Sequence, residues 1–271
     1  MSTAAAITPS TPSLTTNDSA VLQALFDAES SPSSAVTIDP ALPQLPSHLN
    51  ISTKEHAFFQ AREKEIISPL TSTSTTTEPT PETLHSAITA LDTLINNHPT
   101  YPAAYANRAQ ALRMLIEHEQ QSSLECNNTD DDAIRDRFPP ATTNLLSSLL
   151  ADLAQAIFLS TPLSPADAVS PLQARLLADS HTHRAYLLLR ISRQLKVNNA
   201  VDVGGIPGRL RDVGPDGLEE MASRDFFLGG RYGNKVAQQM AVQTNPYAKM
   251  CGAIVKEAMR KEVEGVGSSW I

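Results

Sequence analysis

Apolar residues in this chain recur at steps of three and four, the spacing that gathers them on one face of an α-helix. The pattern is plainest in "PETLHSAITALDTLINNHP", where Leu84, Ala87, Ile88, Leu91, Leu94 and Ile95 share a face. Pro81 suits a first helical turn, whose N–H groups have no partner in the helix, and Asn96-Asn97-His98-Pro99 stops it. Upstream, "STKEHAFFQAREKEII" opens on a Ser/Thr cap and carries Phe58, Phe59, Ile66 and Ile67 among charges. "SPLTSTSTTTEPTP" then breaks the pattern with proline and a Thr/Ser run. Downstream come "YPAAYANRAQALRMLIEHEQ", with Ala104, Ala111 and Leu112 inward, then "NLLSSLLADLAQAIFLS" and "PLQARLLADSHTHRAYLLLRISRQL". "LEEMASRDFFLGGRYGNKVAQQMAVQT" and "NPYAKMCGAIVKEAMRKE" complete the series. No alternating strand signal of any length interrupts it, so the expected fold class is all-α, built as helical hairpins.

The stretches between helices divide the chain. Residues 1–17 are Ser/Thr/Pro/Ala-rich and predict a disordered tail. Residues 18–28 form a short amphipathic helix with Val21, Leu22, Leu25 and Phe26 on one face; too short to hold alone, it must dock on something. Residues 29–51 read as a Ser/Pro-rich linker, 52–262 as the helical domain and 263–271 as a C-terminal tail. Two long loops are expected inside the domain, an acidic insert over 122–141 and a Gly-rich loop over 198–217.

The helices carry a repeat. Ala87, Leu91 and Leu94 match Leu149, Leu153 and Ala156, and Pro99 and Pro162 punctuate the ends. Between them "AYANRAQAL" is similar to the first helix of a tetratricopeptide repeat: aromatic Tyr105, then Asn107, Arg108, and Ala109 where a small residue admits the partner helix. "SRDFFLGG", with Ala222, Phe226 and Gly229, repeats the second-helix spacing. Three hairpins follow, about 52–99, 102–162 and 171–232, longer than the ~34-residue ideal. Insertions of that kind are tolerated because loop closure costs little more as loops lengthen. A solenoid leaves its last apolar face open, so 245–262 is expected as a capping helix, with Asn245 as N-cap, Pro246 at the first position and Cys251 buried.

"AVLQALF", "AYANRAQALR" and "NPYAKMC", in that order, resemble the tetratricopeptide repeat protein 36 family. The resemblance covers most of residues 18–262 and implies a three-repeat α-solenoid with a small N-terminal element and no catalytic activity. It implies a protein-interaction adaptor whose concave surface holds a protein or peptide partner, an Hsp70-type chaperone included. Repeat register puts Ala103, Asn107, Gln110, Arg113 and Met114 toward that groove. Repeat packing falls on Ala87, Leu91, Tyr105, Ala109, Leu153, Ala156, Ala222 and Phe226. Repeats of this kind often hold a chaperone's C-terminal carboxylate in a Lys/Asn/Arg clamp. Here Asn107 stands at a clamp position, Asp179 and His183 occupy positions that should be basic, and neither Lys nor Asn stands near Ala57 and Ala61; the clamp is expected to be absent.

Composition narrows the remaining classes. The chain has 271 residues, 41% hydrophobic and 5% aromatic, with a net charge of -8. No basic stripe suggests nucleic-acid binding, and no apolar run reads as a membrane span or signal peptide. Two cysteines, Cys126 and Cys251, make no disulfide framework, so an intracellular, cytoplasmic protein is expected. His181 and His183 stand two apart and splay across a helix; "NNTDDDAIRD" lacks the ligand alternation of a calcium loop, and "GGIPGRLRDVGPDG" has no preceding strand. No cofactor, metal or catalytic set is expected. The rival to an adaptor is a thiol- or histidine-dependent enzyme or redox regulator, or a structural protein whose groove is filled by residues 18–28.

Overall fold

The computed structural model describes residues 36–71, 79–127, 137–197 and 204–245, with Glu257 and Arg260, and only the backbone of 124–127. The chain divides into one unit, Met1–Ala35, and a second, Val36–Ile271. All described residues belong to the second. The expected tail and helix over 1–28, the capping helix beyond Asn245 with Cys251, and the tail over 263–271 lie outside the described residues.

Among the residues described from Val36 to Asn245, seven α-helices follow one another: α1 Thr53–Thr71, α2 Pro81–Asn97, α3 Pro102–Asn127, α4 Thr143–Ser160, α5 Pro171–Val197, α6 Gly208–Arg231 and α7 Lys235–Thr244. Among the described residues there is no β-strand, only an isolated bridge between Ile38 and Val169. The fold is all-α, and each helix packs on the next in the chain. Helix starts follow from side chains that satisfy free backbone N–H groups. Ser52 and Glu55 cap α1 reciprocally, the Glu55 N–H donating to Ser52 Oγ at 3.3 Å and the Ser52 N–H to Glu55 Oε2 at 2.8 Å. Ser170 and Gln173 do the same for α5, while Thr80 caps α2 ahead of Pro81 and Asn234 caps α7.

Two apolar clusters form the core. One joins Phe59, Leu91, Leu94, Tyr101 and Ala104 around α1 and α2. The other joins Ala109, Leu146, Leu149, Leu153, Ala185, Leu218, Ala222 and Phe226 from α3 to α7. Ala104, Ala109, Ala156, Ala185 and Ala222 are wholly buried, so small side chains sit where helices approach. Gly229 carries this furthest: a Cβ there would lie 2.7 Å from Thr182 Oγ1. Of the positions expected to pack the repeats, all are buried except Tyr105, which is half-exposed and donates its hydroxyl to the Pro99 carbonyl at 3.1 Å.

Polar clasps lock the hairpins. Arg108 on α3 meets Asp152 on α4 in a bidentate pair, Nε to Oδ2 at 2.8 Å and Nη2 to Oδ1 at 2.5 Å, and its Nη1 reaches Asp92 on α2 at 2.5 Å. Arg184 on α5 repeats the geometry on Asp225 of α6, both contacts at 2.7 Å, and His181 Nδ1 lies 2.8 Å from Asp225 Oδ1. Burial alone would lift the Asp225 carboxyl, but hydrogen bonds from Arg184 and His181 hold it below its ordinary value.

Several expectations are corrected. Much of the Gly-rich stretch over 198–217 is helix from Gly208 onward. It accommodates its breakers by kinking at Gly214, where φ is +77°, just before Pro215. Beyond the third hairpin, expected to end at about 232, a further helix begins: Gly233 takes φ +102° and Asn234 caps the new start. α3 runs to Asn127, into the expected acidic insert; no Gly or Pro stops it, and the Ser122 and Ser123 hydroxyls turn back onto His118 and Glu119 carbonyls. Residues 36–51, read as linker, are docked where Ser170 Oγ donates to the Gln44 carbonyl at 2.6 Å and Leu45 and Leu49 are buried. Pro140–Ser160 is long and apolar enough to cross a membrane by length and composition, but it carries Leu146, Leu149 and Leu153 into the core.

Two outcomes are expected. Asp225→Asn should cost about 3 kcal/mol at pH 7 by leaving Arg184 unmatched. Because the folded carboxyl is depressed, this stability is present above its unfolded value and is lost as pH falls through the folded value. Urea unfolding should therefore show the gap between wild type and Asp225→Asn shrinking from pH 7 to pH 3; an equal gap at both would remove the ionic account. Gly205→Ala should lower Tm by several degrees, since its Cβ would fall 1.9 Å from the Phe138 carbonyl oxygen, a clash with backbone that cannot swing away.

Candidate functional site

The clasps aim the residues beside them. Arg108 and Arg184 point at α4 and α6, so their neighbours Asn107 and His183, a step of about 100° round the helix, are turned onto an adjoining face. They face a cavity of about 660 Å³ walled by α3 and α5, with α1 and α7 contributing and Leu153 and Phe226 in its lining. From α3 come Ala103, Ala106, Asn107, Gln110 and Arg113. From α5 come Leu172, Arg175, Leu176, Asp179, Ser180, Thr182, His183 and Tyr186. Glu63 enters from α1, Val236 and Met240 from α7, and Asn234 from its cap. A second cavity of about 430 Å³ shares Glu63, Ala103, Leu172, Arg175 and Leu176 and adds His56, Gln60 and Lys64.

Some polar groups here are fully engaged. Asn107 Nδ2 donates to Glu63 Oε1 at 2.7 Å and so ties α3 to α1. The other Glu63 oxygen accepts from the buried Tyr101 hydroxyl, whose ionisation is pushed far up by burial and by that carboxylate. Other groups are not. Arg113 Nε, Ser180 Oγ and His183 Nε2 are buried on this wall and make no hydrogen bond among the described residues; His56 Nε2 is the same at the second cavity. Arg113 spends one Nη1 donor on Glu117 at 2.9 Å. Burial, with the Arg113 charge beside it, pushes His183 down to about 4, so the imidazole is neutral at physiological pH.

Of the residues assigned to the groove from the sequence, Ala103, Asn107, Gln110 and Arg113 line the cavity together. Met114, one step further round α3, is half-buried off this wall. Asp179 and His183 join them. His181 does not: it is buried against Asp225 and stacks on Tyr232. Glu63, Arg175 and Ser180 were missed. Among the described residues, no group of three His, Cys, Asp or Glu side chains could hold a metal ion.

Comparison with known proteins corrects the identification drawn from the sequence. No model of a protein family matches the chain, and no solved structure matches it. The chain is 61% identical over 266 residues to the L-tyrosine degradation gene cluster protein hmgX of Aspergillus fumigatus, covering 98% of this chain and 100% of that protein. This overturns membership of the tetratricopeptide repeat protein 36 family and the chaperone-associated adaptor function implied by it. Spacing of small and apolar residues is what any packed helical hairpin needs, so three short motifs carry less than a match over the whole length. The chain belongs to the family of the L-tyrosine degradation gene cluster protein hmgX.

Proposed function

We propose that this chain serves the degradation of L-tyrosine as a non-catalytic binding protein, built as an α-solenoid of helical hairpins. The observation that carries the role is the near full-length identity to a protein named for an L-tyrosine degradation gene cluster. The repeated clasp supports the solenoid: Arg108 with Asp152 and Arg184 with Asp225 join first to second helix in successive hairpins. A metabolic role is best placed in the cavity between α3 and α5, whose volume suits a small molecule.

The groups in that cavity favour binding over catalysis. Both oxygens of Glu63 accept hydrogen bonds from neighbouring side chains, so this carboxylate is committed to structure. His183 is depressed to about 4, far below the value at which an imidazole shuttles protons well near neutral pH.

The test pairs a cell experiment with a purified one. Cells lacking this protein and given L-tyrosine as their carbon source should consume it several-fold more slowly than the parent, with recovery when the gene is restored. Purified protein alone should leave L-tyrosine chemically unchanged over hours, as followed by chromatography. Undiminished consumption in the deletion strain would sink the role. Turnover by the purified chain would sink the non-catalytic part of it.

A further inference from the structure

Buried polar atoms without a partner are rare, since each one forfeits the hydrogen bonds it had in water. Three of them, Arg113 Nε, Ser180 Oγ and His183 Nε2, belong to side chains lining one cavity. Ser180 is only 2% exposed. Together they offer a guanidinium, a hydroxyl and a neutral imidazole, a set suited to holding a carboxylate.

The same wall changes character along its length. Arg113 and His183 lie near the middle of α3 and α5, while Ala106, Ala103, Leu172 and Leu176 lie toward their N-terminal ends. At 1.5 Å of rise per residue, Ala106 and Arg113 stand about 10 Å apart along α3. Ala103 and Ala106 bring small side chains to the same lining as Leu172 and Leu176, so this end is apolar and leaves room for a ring. Gln110 lies between, placing an amide group beside the ring's edge.

Resting on the proposed role in L-tyrosine degradation, we propose that this cavity binds a small carboxylic acid bearing a hydroxyphenyl ring. The carboxylate sits on Arg113 with Ser180 and His183 beside it, and the ring lies between Ala106 and Leu176. His183 supports this arrangement because an imidazole kept neutral at about 4 can donate to or accept from the ligand without adding a buried charge. A free amino acid and its deaminated acid share this chemistry. They differ in the ammonium group, which Asp179, one turn from His183 on α5 and in the same lining, is placed to meet.

The test is calorimetric titration of the full-length protein at neutral pH with 3-(4-hydroxyphenyl)propionate. One-to-one saturable binding is expected, weakened about tenfold for the neutral amide of the same compound and about tenfold by Arg113→Gln. Ala106→Leu fills the ring end without touching the arginine and should weaken binding by a similar factor, with thermal unfolding unchanged. L-tyrosine is the second arm. Tighter binding than the propionate assigns the amino acid as the source, and weaker binding assigns its deaminated products.

No saturable binding of either compound would overturn the inference. So would an affinity that Arg113→Gln leaves unchanged, or one the amide matches. If neither compound binds while deletion still slows L-tyrosine consumption, only this inference falls. If the deletion strain consumes L-tyrosine normally, the role itself falls, whatever the cavity binds.

Discussion

The arginine–aspartate clasp is the constraint on which the rest of this structure turns. A buried ion pair adds little net stability over a well-packed apolar pair, but half of one is costly, so it punishes every misregister of the helices that carry it. Asp152 and Asp225 are nearly inaccessible, and each meets its arginine in two parallel hydrogen bonds. That geometry fixes not only which helices pair but how each is rotated about its axis. With Arg108 and Arg184 pinned on their partner helices, Asn107 and His183 are turned about 100° away, onto the face that lines the cavity. The cavity wall is thus a consequence of the clasp, one residue removed.

The cavity in turn carries a cost that the core does not. Small residues at Ala104, Ala109 and Ala185 sit wholly buried where the helices meet, and Glu63 satisfies Asn107 and Tyr101 at once. Against that background the unmatched nitrogens of Arg113 and His183 and the Ser180 hydroxyl stand out. Nothing in hairpin packing needs them there. Chains that gain nothing from such groups can replace them with apolar ones at no cost in stability.

The helical periods were legible because one-face burial imposes a three-four rhythm on the sequence, and Pro81 and the Asn-Asn-His-Pro stop marked both ends of α2 within a residue or two. The breakers were less legible. Gly214 and Pro215 look like a loop, yet a positive φ at the glycine and the proline's fitness for a first helical turn let two helical segments join at a kink. Gly233 lies just past the expected end of the third hairpin at 232, and Asn234 after it supplies the cap of α7. The clasp itself was invisible as chemistry: Arg108 and Asp152 lie 44 positions apart, and only the fold brings them together. Four of the five groove residues placed by register line the cavity, since register predicts direction. Glu63 was missed because its helix offered no motif to anchor a register, and Arg175 and Ser180 because register on α5 was read only at Asp179 and His183. The family was misread for the same reason that the helices were read well: packing rules are shared by unrelated helical proteins.

Charge sets the remaining condition on what the cavity can hold. The chain carries a net charge of -8, so its long-range field repels anions and cannot steer one in. Recognition of a carboxylate here must come from contact, within a few ångströms of Arg113, rather than from attraction across solvent. Contact of that kind is strongest where water is excluded and salt screens least, which is where Arg113 Nε and His183 Nε2 lie. A cation whose Nε is buried in a largely apolar lining also selects by size and shape: a ligand must bring enough apolar surface to enter before its charge is rewarded. A hydroxyphenyl ring brings that surface, and a bare inorganic anion does not.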